Sequence, residues 1–304
     1  MKNVKNVNFW QIDHKIKNIL SADGVIVLPI HEAWQKFEWV KSLFQDKPKE
    51  GYFVWVKKQV SFPLTTCVTI ASKKIFQDLT NLLVIEIGLK IKANVTCNAA
   101  ENNLCGTHKA KGKMILKQGA CLEYFHFHQW GEKDFVSPDY EFILEKDSKL
   151  VYTYKNLLPP ENLILKTTIY SKKNSSSNIN FLVNAINSKI KIQDTLILEG
   201  ENSQGIVKLR LVGKEKSDIS AVSEIIAKNI VKGHLDCQGL LVDKNSKISL
   251  APKLICENKN AQLTHEASIG RIAEEQLTYL RMRGLTQNEA IKLILTGFLE
   301  INSK

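Results

Sequence analysis

The chain has 304 residues, 44% hydrophobic and 24% charged, with a formal net charge of +11, which is ordinary globular usage and enough length for one elongated domain with attachments or two compact ones. No apolar run approaches the ~20 residues that cross a bilayer as a helix, and the basic start MKNVKNVNFWQIDHKIKN has no apolar stretch or cleavage site of a secretory signal, so a cytoplasmic chain without membrane attachment is expected. The positive charge does not point to nucleic acid, because the lysines are scattered (Lys57-Lys58, Lys172-Lys173, Lys214-Glu215-Lys216) with no arginine/aromatic cluster or nucleic-acid motif beside them.

Two helical periodicities open the chain. Phe9, Ile12, Ile16 and Ile19 recur at helical spacing and Ala22-Asp23-Gly24 interrupts them. Val25 to Ile30 then reads as a short strand, and Trp34, Phe37, Val40 and Phe44 share one face of a second helix, where core packing accounts for the aromatics. Residues 46–51, DKPKEG, break the pattern. From Tyr52 to about Glu266 almost every segment is a short strand bounded by Gly, Asn, Ser, Asp or Pro. Runs such as LVIEIG (83–88), MILKQG (114–119) and TLILEG (195–200) end in glycine and stack naturally as rungs of a solenoid. Their spacing is too irregular for a strict repeat, and pattern alone leaves a β-sandwich or barrel open.

After Ala267 the period becomes helical again. Glu274 and Glu275 suit a first turn, Leu277 and Leu280 form an apolar stripe, Arg281 and Arg283 suit a last turn, and Gly284 is placed for a left-handed stop. Thr286 stands three residues before Glu289 in capping-box spacing, and Ala290, Ile291, Ile294 and Leu295 carry a second amphipathic helix. A short helical hairpin therefore closes an all-β body.

Six cysteines, at 67, 97, 105, 121, 237 and 256, form no CxxC pair, which in a cytosolic chain favours free, buried or metal-binding thiols over disulfides. Residues 262–285, QLTHEASIGRIAEEQLTYLRMRGL, resemble the signature of the SufB/SufD family, in which a His-Glu-Ala strand end leads into a Tyr-Leu-x-x-Arg-Gly helical hairpin. KGHLDCQGLLV (232–242) and Ala251-Pro252 resemble the rungs before it, and the 28 positions from Cys237 to His265 match the family's Cys-to-His spacing. Looser similarity runs back through Cys97 to about residue 50. The chain is most similar to the compact SmsB type of the family.

This resemblance implies a right-handed parallel β-helix over 51–267, a small mixed N-terminal region over 1–50 and a C-terminal helical hairpin over 268–304. It implies a scaffold for iron-sulfur cluster assembly, with a transient cluster held by Cys237, Glu266 and His265. It also implies an ABC-type ATPase partner (SufC/SmsC-like) docking on the hairpin residues Tyr279, Leu280, Arg283, Gly284, Ile291 and Leu295, and scaffold pairing through the last strands, here as a homodimer in a two-plus-two complex. A scaffold is not an enzyme, and no Walker-type phosphate loop is present, so ATP hydrolysis is expected in the partner.

Thiolates hold clusters firmly, whereas a carboxylate or imidazole leaves more readily, which suits a site that must release its product. Side chains alternate along a strand, so His265 and Glu266 face one site only if the strand bends there. Taken alone, Cys237 shares its face with Leu235 and reads as a small buried hydrophobe, and Cys256, two residues after Leu254, reads as core. Cys97, Cys105, His108, Cys121, His126 and His128 are a second collection of soft ligands, able to hold zinc or receive sulfur, whose spacing fits no standard zinc module and which β-rung burial also explains. Two other functions compete. A SufD-like architectural subunit would need neither Cys237 nor Glu266, and a β-solenoid enzyme needs paired carboxylates or a junction histidine that do not stand out.

Overall fold

The computed structural model describes residues 7–299, so the outer ends of the expected 1–50 and 268–304 segments, residues 1–6 and 300–304, lie outside the described residues. The chain begins with a β-hairpin, β1 (Val7–Ile12) and β2 (Lys15–Leu20), followed by β3 (Val25–Pro29), the short helices α1 (Ile30–Lys36) and α2 (Glu38–Lys41), and β4 (Tyr52–Val56). Fifteen strands follow: β5 (Leu64–Ile70), β6 (Phe76–Ile85), β7 (Lys90–Ala99), β8 (Thr107–Leu116), β9 (Cys121–Gln129), β10 (Phe135–Leu144), β11 (Lys149–Leu158), β12 (Asn162–Ser171), β13 (Ser176–Ile186), β14 (Lys189–Leu198), β15 (Gln204–Lys214), β16 (Asp218–Ala227), β17 (Lys232–Leu241), β18 (Lys247–Cys256) and β19 (Gln262–Arg271). Helices α3 (Glu274–Met282) and α4 (Gln287–Phe298) complete the described chain.

From β4 onward, apart from the antiparallel pairing of β4 with β3, even-numbered strands pair only with even and odd only with odd, always in parallel. The chain therefore alternates between two sheets and advances one rung per pair of strands, giving a parallel β-solenoid of about eight turns. Partners within a sheet lie 27 to 31 residues apart, as in Lys149↔Ser176 and Lys90↔Cys121. The repeat that looks irregular in residue identity is thus regular in geometry. Its trace is a corner dipeptide. Asp147, Asn174 and Asn202 adopt left-handed φ values of 60, 57 and 58°, which Asn and Asp tolerate best among residues with a side chain. Each is followed by a buried serine, Ser148, Ser175 and Ser203. Asn174 Nδ2 donates to Asp147 Oδ1 across rungs at 2.9 Å, and the hydroxyls of Ser148 and Ser175 donate to Glu145 and Lys172 carbonyls at the turns.

Alternation sends every second side chain between the sheets, where Leu, Ile, Val, Phe and Tyr make a single continuous core. Each large apolar side chain fully buried there contributes roughly 2 kcal/mol. A smaller cluster lies outside the even-numbered sheet, where Ile30, Ala33 and Val40 pack on Phe53, Leu82 and Ile115.

The N-terminal segment departs from its helical reading. Phe9 and Ile12 lie on β1, and Ile16 and Ile19 on β2, because β1 finds an open strand edge in β5 and pairs with it from Val7↔Leu64 to Ile12↔Thr69. Such pairing outweighs weak local propensity. The hairpin turn is fixed by Asp13, at φ 52°, whose carboxylate accepts from Ala71 N at 2.7 Å and Ser72 Oγ at 2.6 Å. The expected second helix is two helices, broken at the extended Phe37. The last strand also runs four residues past Ala267, to Arg271.

The C-terminal hairpin forms as its caps dictate. Gly284, at φ 94°, ends α3 with Leu285 N donating to Leu280 O and Gly284 N to Arg281 O, the paired bonds of a Schellman motif. The α4 capping box is complete, with Thr286 N donating to Glu289 Oε2 at 2.8 Å and Glu289 N donating to Thr286 Oγ1 at 3.3 Å. Among the described residues no helix is long and apolar enough to cross a membrane.

Candidate functional site

Two neighbouring inward rows of the odd-numbered sheet carry the candidate ligands. One reads Val95, His126, Tyr154, Phe181, Leu209, Cys237, Ala267, one residue per strand from β7 to β19. The other reads Cys97, His128, Asn156, Val183, Leu211, Gly239, Ile269. Polar groups occupy the β7–β11 portion and Cys237 stands near the far end, with Phe181, Val183, Leu209 and Leu211, all fully buried, filling the rungs between. His126 and Cys237 are four strand spacings apart, ~19 Å.

Cys237 is 1% exposed and lies beside Leu235, so its sequence reading as a small buried residue describes its environment. Burial pushes its thiol up to about 12, with the Asp194 and Asp236 carboxylates adding to the effect and the Ser223 side chain opposing it. Ser223 on β16 donates to Asp194 Oδ2 on β14 at 2.5 Å, and Asp194 Oδ1 has no partner among the described residues. Burial in turn raises the Asp194 carboxyl to about 7 against that hydrogen bond. On the outer face of β15 and β17 Arg210 grips Asp236 with two bonds, Nη1 to Oδ1 at 2.8 Å and Nη2 to Oδ2 at 2.5 Å. Burial works to raise the Asp236 carboxyl, but the guanidinium outweighs it and the net direction is down. Asp194, Ser223 and the Arg210–Asp236 pair were not singled out from sequence; offsets near one rung (29 residues for Asp194 and Ser223) are the signal that connects them.

The last rung, β18 and β19, differs from all others. Its inward row, Leu263, His265, Ala267 and Ile269, continues Gly233, Leu235, Cys237 and Gly239 of β17, yet His265 and Ala267 are exposed and Ile269 is 46% exposed. β19 pairs with β17 without a bulge from Lys232↔Gln262 to Leu241↔Arg271, so the strand does not bend at the His-Glu step. His265 opposite Leu235 shares the Cys237 face, and Glu266 opposite Asp236 lies on the outer face, where its Oε1 is 3.8 Å from His234 Nε2. Cys256 is exposed, not core, with Sγ 3.2 Å from Asn258 O. Its alternation with Leu254 is real, but among the described residues no strand stacks on that last rung to bury it.

The second collection of soft ligands separates. Cys97, His126 and His128 converge, each offering a ligand atom within 4.8 Å of the others. His108 is buried nearby, with Nδ1 2.9 Å from Gln77 Oε1 and its ring against Trp130. Cys105 is exposed in a turn at φ 54°, and Cys121 is half-buried at a strand start. On the hairpin, Tyr279 is 57% and Met282 82% exposed, Arg283 stacks on Tyr279 at 5.3 Å, Gly284 is exposed, and Leu280, Ile291 and Leu295 are half-buried.

Residues 68–298 match the family model described as "SUF system FeS cluster assembly, SufBD core domain". The chain is similar to an iron-sulfur cluster assembly SufBD family protein of Archaeoglobus fulgidus, at 29% identity over 97% of this chain and 85% of that one. It is similar to another of that description from Methanothermobacter thermautotrophicus, at 26% identity over 97% and 78%. The iron-sulfur cluster assembly protein SufB of Bacillus subtilis is 23% identical over 94% of this chain and 66% of its own length.

Proposed function

The chain belongs to the SufBD family of iron-sulfur cluster assembly proteins, and from that membership we propose that it is the scaffold subunit on which the cluster is built, at the open end of the solenoid. What carries this reading is the last rung: an inward row that every earlier rung buries is left uncovered here, one strand beyond Cys237. An uncovered row with Leu263, Ala267 and Ile269 on an unpaired strand edge invites pairing with another chain. A second copy related by two-fold symmetry would cover both ends and bring two Cys237 residues to one interface. Each chain supplies one buried cysteine at this end, Cys237, with Cys256 exposed on the inward side of β18; a cluster usually takes four ligands, so two Cys237 thiolates and two imidazoles from His265 complete a set. Glu266, on the opposite face, serves as an outer ligand or an iron-recruiting carboxylate at the rim.

A buried, protonated thiol must lose its proton and be uncovered before it binds iron. Ser223 and Asp194 give the proton a route, thiol to hydroxyl to carboxylate, and the carboxyl's value of about 7 lets it accept. Uncovering falls to the partner: an ABC-type ATPase docked on α3 and α4, through Tyr279, Leu280, Arg283, Gly284, Ile291 and Leu295, would pull on the segment that directly follows β19. The scaffold itself is not an enzyme in this reading.

Anaerobic reconstitution of the co-expressed complex, read by iron and sulfide content and the absorption spectrum, tests the site. Cys237→Ala is expected to abolish the cluster in a folded protein, with His265→Ala losing more cluster than Glu266→Ala. A stoichiometric cluster on Cys237→Ala would sink the assignment. A complex that holds one copy of this chain beside a distinct scaffold subunit would support a SufD-like architectural role instead.

A further inference from the structure

Most of the interior of the solenoid is built from apolar side chains, but at β7–β11 it holds three fully buried histidines, a buried cysteine and Tyr154. Imidazole is costly to enclose, and here burial holds His126 down to about 3 and His128 lower than its ordinary value, so both rings are neutral, the form that binds metals. The two rings meet edge to face with their Nε2 atoms 2.9 Å apart, and Cys97 Sγ lies 3.5 Å from His126 Nε2. Three donors of the right type therefore lie within 4.8 Å of one another. On its far side His128 Nδ1 lies 2.9 Å from Tyr154 Oη, the outer hydrogen bond that fixes ring orientation and tautomer in metal-binding histidines. His126 Nδ1 and His108 Nε2 have no partner among the described residues, so the hydrogen bonds within the cluster do not by themselves satisfy what has been buried.

We propose that Cys97, His126 and His128 bind one borderline transition-metal ion, of the Zn2+ or Fe2+ class, inside the solenoid, at a site separate from Cys237. Tetrahedral bonds of ~2.0 Å to nitrogen and ~2.3 Å to sulfur place N and S about 3.5 Å apart and two N atoms about 3.3 Å apart. The Cys97–His126 distance already fits, and the two Nε2 atoms need to part by about 0.4 Å. On binding, the proton now between the two Nε2 atoms leaves that position as its ring takes the Nδ1–H tautomer, His128 Nδ1–H donates to Tyr154, and the Cys97 thiol releases its proton. The balance is one metal ion in and one proton out, with both imidazoles still neutral. Three protein ligands leave a fourth position open. The spacing of 29 and 31 residues from Cys97 to His126 and His128 matches one solenoid turn, which is why it resembles no zinc module whose ligands are joined by a short loop.

The test uses the full-length Cys237→Ala protein, so that the proposed cluster site contributes nothing and its success or failure is read separately. Metal-depleted, reduced protein is titrated with Co2+ under anaerobic conditions. One equivalent is expected to give a thiolate-to-cobalt charge-transfer band and the intense visible bands of a tetrahedral ion, displaced by Zn2+. Cys97→Ala should remove the charge-transfer band, and Tyr154→Phe, which removes the hydroxyl that meets His128 Nδ1 and accepts from Asn156 Nδ2, should weaken binding about tenfold. Circular dichroism and the denaturation midpoint identify variants that fail to fold; if Cys97→Ala is among them, the folded Tyr154→Phe protein decides. Absence of a charge-transfer band in the folded Cys237→Ala protein overturns the proposal. So does a band that survives in folded Cys97→Ala, which would belong to exposed Cys105 or Cys256, or an affinity unchanged by Tyr154→Phe.

Discussion

Cys97 and Cys237 stand on neighbouring inward rows of the same sheet, about five rungs apart, and their surroundings separate what a solenoid can do in its middle from what it can do at its end. Around Cys97 the rungs above and below are closed, the neighbours are neutral imidazoles and a phenol, and the thiol is pushed above its ordinary range chiefly by burial. Around Cys237 the neighbours are Ser223 and Asp194, and among the described residues its cover is one rung whose own inward row is partly exposed. A closed interior can hold a group permanently because nothing needs to move. An end rung can release one, because uncovering it breaks one strand pairing and not many.

The largest effect expected from this contrast is in packing. Phe181→Ala, in the closed rungs between the two cysteines, should cost about 4 kcal/mol, whereas Ile269→Ala on the open rung should cost within about 0.5 kcal/mol in the isolated subunit, both read from denaturant midpoints at unchanged slope. Equal costs would break the contrast. A cost at Ile269 that grows with protein concentration would sharpen it, by giving the open rung a second copy as its cover.

Next in size is a pH effect at the Cys237 end. The Asp194 carboxyl is raised from 3.8 to about 7, mainly by burial, with Ser223 opposing. Between those values the folded chain keeps a proton that the unfolded chain has lost. The favourable contribution is therefore complete below about pH 4 and falls away as pH rises toward 7. Facing groups are Ser223, Thr167 one strand back in the same row, and Cys237 across the interior. In cluster-free protein Asp194→Asn should remove this loss and raise stability at pH 8 by on the order of 4 kcal/mol relative to the unsubstituted chain. The buried His108 and His126, held down to about 3, tilt both profiles the other way below pH 6.5 and cancel in the difference. Parallel pH profiles for the two proteins would refute the assignment of a buried neutral acid beside Cys237.

The smallest effect belongs to the hairpin beyond the open rung. Thr286→Ala removes both capping-box bonds of α4 and should cost about 1 kcal/mol locally, seen as faster amide exchange in α4 with the β9–β15 core unaffected. Loss of protection that spreads into the core would mean that the end is not separable from the middle.

The sequence by itself determined the parts that depend on local chemistry. Turn residues between short apolar runs gave the all-β body, and the placing of Gly284 and the Thr286–Glu289 pair gave the terminal hairpin, because caps and turns are set by residues close in the chain. The resemblance carried by residues 262–285 gave the β-helix winding and the family. Tertiary structure alone decided the rest. Phe9, Ile12, Ile16 and Ile19 became strands because β1 found an open edge in β5, a partner more than fifty residues away. Cys256 became exposed because alternation tells which side of a strand a residue faces, not whether another rung covers that side. His265 and Glu266 were divided between two faces because the last strand stays in register. Cys97, His126 and His128 met because one solenoid turn returns the chain over itself after about thirty residues, a distance that local sequence does not measure and strand register fixes.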